Sequence, residues 1–402
     1  MEQKLKIYNG QIITPAEIIK GGSLLVDNGR IIEISSGNID VPDALEINAG
    51  ENYVSPGFID IHVHGGGGRD FMDNSVDAFL AIAELHARYG TTAMMPTTLT
   101  SSREDLLETL ATYNAAAKQN VKGAQFIGMH LEGPYFSLSQ AGAQDVRYIR
   151  DPDPGEYREI LSNFPCVKRW SAAPELKGAL EFGRYLTSNG VLASLAHTDA
   201  VYEEALAGYQ NGYTLATHLY SGMNGVIRRN AFRYAGAVEA AYLIDEMDVE
   251  IIADGIHLPA PLLQLVYKIK GPDKTALITD AMRAAGLAPG ESVLGGLKNG
   301  IKVIVEDNVA KLPDRSAFGG SVATFDRLVR NMINVAGVPL TDAVKMASAT
   351  PARIMGINDK KGSIVVGMDA DIVIFDREIN VELTIIKGQV VYDRERQSRY
   401  NW

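Results

Sequence analysis

The chain has 402 residues, 49 acidic against 38 basic, with a net charge of -11 and a mean hydropathy of -0.03. That balance argues against general binding to nucleic acid or an anionic membrane, and 46% hydrophobic with 22% charged residues argues against disorder. One cysteine, Cys166, excludes an internal disulfide and a Cys-type zinc site, so a reducing cytoplasm is expected and the thiol itself reads as a small buried hydrophobe. No apolar run is long enough to cross a bilayer, and the opening MEQKLKIYNG lacks the apolar stretch of a secretory signal.

The first elements are short and β-like: LKIYNGQII, then SLLVDNGRIIEI with a hairpin signal at Asn28-Gly29, then ALEINAG. The same grammar returns after Gly362 in SIVVGMDADIVIFD and VELTIIKGQVVYD, with Gly388 at a turn. Neither end has enough apolar surface to stand alone, so residues 1–53 and 361–402 are expected to pair into one small β-sandwich domain.

Between them, over 54–360, strand-like and helix-like runs alternate. The strand candidates are VSPGFIDIHVH, TTAMMPTT, FIGMHLEG, VKRWSAAPE, VLASLAH, YTLATHLY, VEIIADGIHL and TALITDAM. Eight such runs are what a closed parallel (β/α)8 TIM-type barrel requires. The first intervening helix is expected over 74–89, where Phe79, Ile82, Ala83 and His86 recur near helical spacing before Gly90. The next should open on a capping box of Ser101 and Glu104 ahead of Leu106, Leu107 and Leu110. Residues 283–318, after the eighth strand, are too many for a simple turn and are expected to fold over the site, with Phe318 and the residues after it bordering the substrate.

His62 and His64 stand two apart in the first strand, so both imidazoles leave one face of it at the carboxyl end. Glu132 ends the third strand, His197 the fifth, and His218 and Asp280 stand near the ends of the sixth and eighth. Barrel enzymes build their sites at this rim, from several strand ends. Each residue alone has a structural reading, but four imidazoles and two carboxylates on one rim suit zinc or ferrous iron and are a poor set for calcium or magnesium. The set exceeds the three protein ligands of a simple zinc site, which points to one or two ions per subunit, with Glu132 as the bridge. Such a divalent metal would draw the pKa of a bound water down toward about 7 and polarise a carbonyl, leaving Asp280 as general base and acid. His130 lies deeper on the Glu132 face and reads as a supporting residue, and His86 as structural. The Gly65-to-Gly68 run reads as a loop clearing the rim.

The blocks PGFIDIHVHGGGG, GMHLEGPYF, SLAHTDA, THLYSGM, DGIHLP and TDAMRAAGL resemble, in order and spacing, those of the N-acetylglucosamine-6-phosphate deacetylases of the amidohydrolase superfamily. The resemblance implies a metal-dependent barrel that removes acetate from a phosphorylated amino sugar. It carries the metal ligands onto Glu132, His197 and His218, the catalytic aspartate onto Asp280, and a first-strand pair that varies in the family onto His62 and His64. It also implies phosphate contacts at His257 and at Arg229, the latter often supplied across a homodimer interface. Where the family has Asn-Ala this chain has Ser221-Gly222, and where a histidine approaches the acetyl carbonyl it has Gln144, whose amide can donate a hydrogen bond but cannot become cationic. These departures leave open a related substrate, such as N-acetylgalactosamine 6-phosphate or an N-acyl amino acid. A catalytically silent scaffold is the remaining alternative, and lost ligands would be its mark.

Overall fold

In the computed structural model, which describes residues 4–396, eight parallel strands follow one another in sequence order. They are β1 (Phe58–Val63), β2 (Thr91–Thr98), β3 (Met129–Glu132), β4 (Val167–Ala172), β5 (Leu192–Leu195), β6 (Tyr213–Ala216), β7 (Asp248–Ile251) and β8 (Thr275–Leu277). Each is followed by at least one helix, because a parallel neighbour can be reached only by a crossover. β8 and β1 share no ladder. The ring is completed by side chains and backbone just beyond: the Asp280 N–H donates to the His62 carbonyl (2.9 Å), and Thr279 Oγ1 donates to Asp60 Oδ2 (2.5 Å).

The helix layer is held on by apolar contact. Phe79, Ile82, Leu110, Tyr157, Phe182, Val266 and Leu328 all belong to one buried cluster between helices and strands. Burying each such side chain contributes about 1.5–3 kcal/mol before the entropic cost. The first helix spans Val76–Ala87, with Phe79, Ile82, Ala83 and His86 on its buried face. The second, Arg103–Gln119, differs by one residue from its expected start: Ser102 is the N-cap and accepts from the Asp105 N–H (3.1 Å), so Ser101 and Glu104 form no capping box. Both serines satisfy the same local pattern, and the turn leaving β2 decides which one takes the non-helical position.

The apolar run read as one strand over 54–64 is two. Tyr53–Pro56 pairs antiparallel with Ile372–Phe375 in a sheet made from both chain ends, and β1 begins only after Gly57. Gly57 has no room for a side chain, since a Cβ there would lie 2.1 Å from Thr92 Oγ1. The terminal sheet has eight strands and encloses a cluster that includes Leu5, Ile7, Ile12, Leu24, Val54, Ile372, Ile374 and Ile385. Its Asn28-Gly29 turn has φ of 48° and 73°, the left-handed pair a tight hairpin needs.

Residues 283–318 contribute to a small four-stranded antiparallel sheet: Gly290–Leu294, Ile301–Glu306, Val309–Lys311 and Phe318–Ser321. An Ala281–Ser321 bridge and a salt bridge from Arg283 to Asp73 (2.6 Å) fasten it to the barrel rim. Among the described residues no helix is long and apolar enough to cross a membrane.

Candidate active site

At the carboxyl end of the barrel the six side chains singled out in the sequence converge. His62, His64 and Glu132 form one group of candidate ligands, and Glu132, His197 and His218 another; within each, the ligand atoms lie within 4.8 Å of one another. Glu132 Oε1 is 2.9 Å from His218 Nε2, 3.4 Å from His197 Nε2 and 3.5 Å from His62 Nε2, while Oε2 is 3.5 Å from His64 Nε2. Asp280 Oδ1 completes the arrangement, 3.1 Å from His64 Nε2 and 3.5 Å from His62 Nε2.

Backbone at these strand ends is bent to aim the side chains inward. His197, His218 and Asp280 have φ of 44°, 30° and 47°, in the left-handed region that non-glycine residues seldom enter. Hydrogen bonds on both sides hold each one: the His197 carbonyl accepts from the Ser137 N–H (2.9 Å), the N–H after His218 donates to the Glu250 carbonyl (2.8 Å), and the Asp280 carbonyl accepts from the Ser321 N–H (2.8 Å). Gly222 belongs to the same device. A Cβ there would meet His197 Nδ1 at 2.7 Å, so any larger residue displaces the ring.

The histidine tautomers are set from outside. His64 Nδ1 donates to the Thr97 carbonyl (3.2 Å) and His197 Nδ1 to the Gln140 carbonyl (2.8 Å), which leaves each Nε2 lone pair facing inward. His62 Nε2 and His64 Nε2 are 3.3 Å apart and both face carboxylate oxygens. Converging lone pairs in a buried space repel one another unless a cation lies among them. Without a metal, protons must serve. Burial lowers the His64 pKa, but the hydrogen bond to Asp280 and the Glu132 charge outweigh it and push it up to about 9. Burial likewise raises Glu132 and Asp280, and the surrounding imidazoles overcome it, holding Glu132 well below the ordinary carboxylate range and Asp280 lowered. The donor set, imidazole nitrogen with carboxylate oxygen, fits a borderline divalent ion.

A cavity of about 270 Å³ opens onto this cluster, lined by His64, Glu132, His197, His218 and Asp280. A larger one of about 400 Å³ adjoins it across Leu99, Ala143 and Leu294, but none of the six side chains lines it. The small cavity is therefore where chemistry can occur.

Residues 53–391 match the model of the Amidohydrolase family. The chain belongs to that family. It is 33% identical over 397 residues to the N-acetylglucosamine-6-phosphate deacetylase of Bacillus subtilis (strain 168), covering 98% of each protein. It is 30% identical over 381 residues to the N-acetylgalactosamine-6-phosphate deacetylase of Escherichia coli O157:H7, covering 93% of this chain and 98% of that one. The crystal structure of N-acetylglucosamine-6-phosphate deacetylase from Pasteurella multocida matches it with a TM-score of 0.90 at 29% identity, over 96% of this chain and 99% of the other. The barrel with a sheet from both chain ends, expected from the strand pattern, is thus the fold of this amidohydrolase.

Of the substrate contacts expected from sequence, Gln144, Ser221, Gly222, His257 and Phe318 line the small cavity. His257 is held by Asp254, to which its Nδ1 donates (2.7 Å), and its ring lies 4.8 Å from that of Phe318. Gln144 is occupied on both ends, donating to Glu132 Oε2 (2.7 Å) and accepting from the Thr100 N–H (2.8 Å). Arg229 is not at the cavity; it stands exposed on a hairpin of Ile227–Arg229 and Phe232–Tyr234.

Sequence reading missed the layer beneath. Arg169 on β4 and Glu250 on β7, both fully buried, form a two-pronged salt bridge, with Arg169 Nη2 2.9 Å from Glu250 Oε2. Arg169 also donates to Ser194 Oγ (2.8 Å), Thr217 Oγ1 (2.8 Å) and the Ile61 carbonyl (3.1 Å). Glu250 Oε2 lies 3.6 Å from His62 Nδ1, longer than a hydrogen bond, so the pair sets a carboxylate charge behind the first-strand ring. His130, as expected, supports rather than reaches the centre: its Nε2 meets Ser171 Oγ at 2.7 Å. A signal for the pair was available, because a charge within an otherwise apolar barrel strand has to find a partner inside.

Proposed function

We propose that this amidohydrolase removes the acetyl group from N-acetylglucosamine 6-phosphate, giving glucosamine 6-phosphate and acetate in cytoplasmic amino-sugar catabolism. The observation that carries this reading is the single carboxylate, Glu132, shared by two ligand groups beside Asp280 at the floor of one cavity. His62, His64, Glu132, His197, His218 and Asp280 would hold one or two divalent ions, zinc or ferrous iron. Such an ion, when bound, acidifies water and polarises the acyl carbonyl.

The chain's own groups do the rest. Asp280 is ionised, so it can take the proton of the attacking water and pass it to the sugar nitrogen as the C–N bond breaks. One amide hydrogen of Gln144 goes to Glu132, and the second is free to meet the acetyl oxygen. His257, with Nδ1 committed to Asp254, presents Nε2 for the phosphate, and Phe318 packs on its ring. Gly222 keeps the wall beside His197 open.

Arg229 reaches a phosphate from a second copy of the chain. Its hairpin exposes Phe232 (72%), with Val226 (57%) just before it and Arg228 and Arg233 alongside, an apolar surface with a cationic fringe that a homodimer interface would cover. A second reading, N-acetylgalactosamine 6-phosphate, is favoured by the likeness to the Escherichia coli enzyme and by Gln144 and Ser221-Gly222 at the cavity wall. Acetate release by metal-loaded protein from both sugar phosphates and their unphosphorylated forms tests the assignment. The first sugar phosphate should have the highest kcat/KM; a higher value for the galactose epimer reverses the order, and equal turnover of the unphosphorylated sugars removes the phosphate pocket.

A further inference from the structure

Glu132 is the one side chain common to both ligand groups, so the plane of its carboxylate governs whether both can be filled together. That plane is not set by the side chain itself, because the last torsion of a glutamate is broad and roughly twofold. A donor outside the ligand set has to hold it. Among the described residues the only such hydrogen bond is from Gln144 Nε2 to Glu132 Oε2, at 2.7 Å.

The orientation of this amide is itself determined. Its other end lies 2.8 Å from the Thr100 backbone nitrogen, which can only donate. That end must therefore be the carbonyl oxygen, and the end facing Glu132 must be the NH2. Both side chains are buried, and Thr100 follows β2 while Gln144 follows β3, so the bond ties the carboxylate to backbone from another strand end. Oε2 is also the oxygen that faces His64 Nε2 (3.5 Å), whereas Oε1 faces His218 (2.9 Å), His197 (3.4 Å) and, at 3.5 Å, His62. A carboxylate oxygen has two lone pairs, so Oε2 can accept from Gln144 and still offer one toward His64.

We propose that Gln144 is a positioning residue of the metal centre: it holds Glu132 Oε2 toward His64 of the first strand and so sets whether the His62–His64 subsite fills alongside the His197–His218 subsite. Without this bond the carboxylate is held chiefly through Oε1, whose nearest partner is His218 Nε2 at 2.9 Å, and Oε2 loses the contact that keeps it on the His64 side. The second ion is then lost before the first. This inference rests on the metal-dependent reading above and adds to it the residue that decides metal stoichiometry.

The test is zinc chloride titration of the full-length, chelator-stripped protein by calorimetry, with elemental analysis and thermal melts before and after loading. Wild-type protein should bind two ions. Gln144→Met, which keeps the volume but loses the donor, should bind the first ion within about twofold of wild type and the second about 10- to 100-fold more weakly. Gln144→Ala should show the same order of loss. Gln144→His, whose neutral ring supplies one acceptor for Thr100 and one donor for Glu132, should recover the second ion. The gain in Tm on adding zinc should shrink in Gln144→Met, whereas a purely structural loss lowers stripped and loaded melts together. Two ions at wild-type affinity in both Gln144→Met and Gln144→Ala, or equal weakening of both ions, overturns the proposal. Wild-type protein that binds one ion also overturns it and leaves the metal reading intact; wild-type protein that binds none overturns both.

Discussion

The terminal sheet and the carboxyl rim of the barrel are held in opposite ways. In the sheet, Leu5, Ile12, Leu24, Val54, Ile374 and Ile385 close a cluster that is apolar throughout. At the rim and in the layer just beneath it, Asp60, His62, Glu132, Arg169 and Glu250 are buried and polar, and three of the six candidate ligands stand in left-handed backbone. Each such residue costs about 1–3 kcal/mol, and each buried charge needs a partner. The sheet rests mainly on apolar burial, with its buried charges confined to pairs such as Lys6–Glu46 and Lys361–Asp371, whereas the rim gives up stability for geometry and depends on single contacts throughout.

The largest effect that would sharpen this contrast is chemical. Asp280→Asn keeps the shape of the rim and removes the base, so acetate release should fall about 10²- to 10⁴-fold while elemental analysis finds the metal retained. Near-normal turnover would strip Asp280 of its role.

Next comes the layer beneath the rim. Glu250→Leu leaves the Arg169 charge buried and alone, and urea unfolding should register a loss of about 3–5 kcal/mol. Adding Arg169→Met should recover most of that stability but not metal content, since His62 Nδ1 still lacks the carboxylate behind it. In the terminal sheet, Ile374→Ala should cost about 2–5 kcal/mol through the lost burial, and there the metal content of the folded fraction should stay normal. If the two regions responded alike in metal content, the contrast between them would fail.

The smallest effects concern the hairpin. Arg229→Ala should raise KM for phosphorylated sugars about ten- to a hundredfold, the worth of one charge-assisted contact, and leave unphosphorylated sugars unaffected. Phe232→Asp should shift light scattering in solution toward the monomer and reproduce the same rise in KM. A monomer with unchanged KM would separate the arginine from the interface.

Much of this was legible in the chain. The eight strand runs, the helix over Val76–Ala87 and the Asn28-Gly29 turn all follow from local pattern. The six candidate ligands could be picked out because each sits near the end of a strand run. The errors have local causes too: Ser101 and Ser102 are equivalent to a pattern that reads one residue at a time, and an apolar run such as 54–64 reports burial without saying against which sheet.

What the amino-acid order alone determined was the alternation of elements and the face on which His62 and His64 stand, because periodicity is a property of neighbouring residues. What only the closed barrel decided was that Glu132 lies between two histidine pairs, that Arg169 meets Glu250 81 positions away, and that Gln144 is committed to Glu132. Those distances depend on how every strand stacks on the next, and the left-handed turns at His197, His218 and Asp280 exist because neighbouring strand ends hold them there.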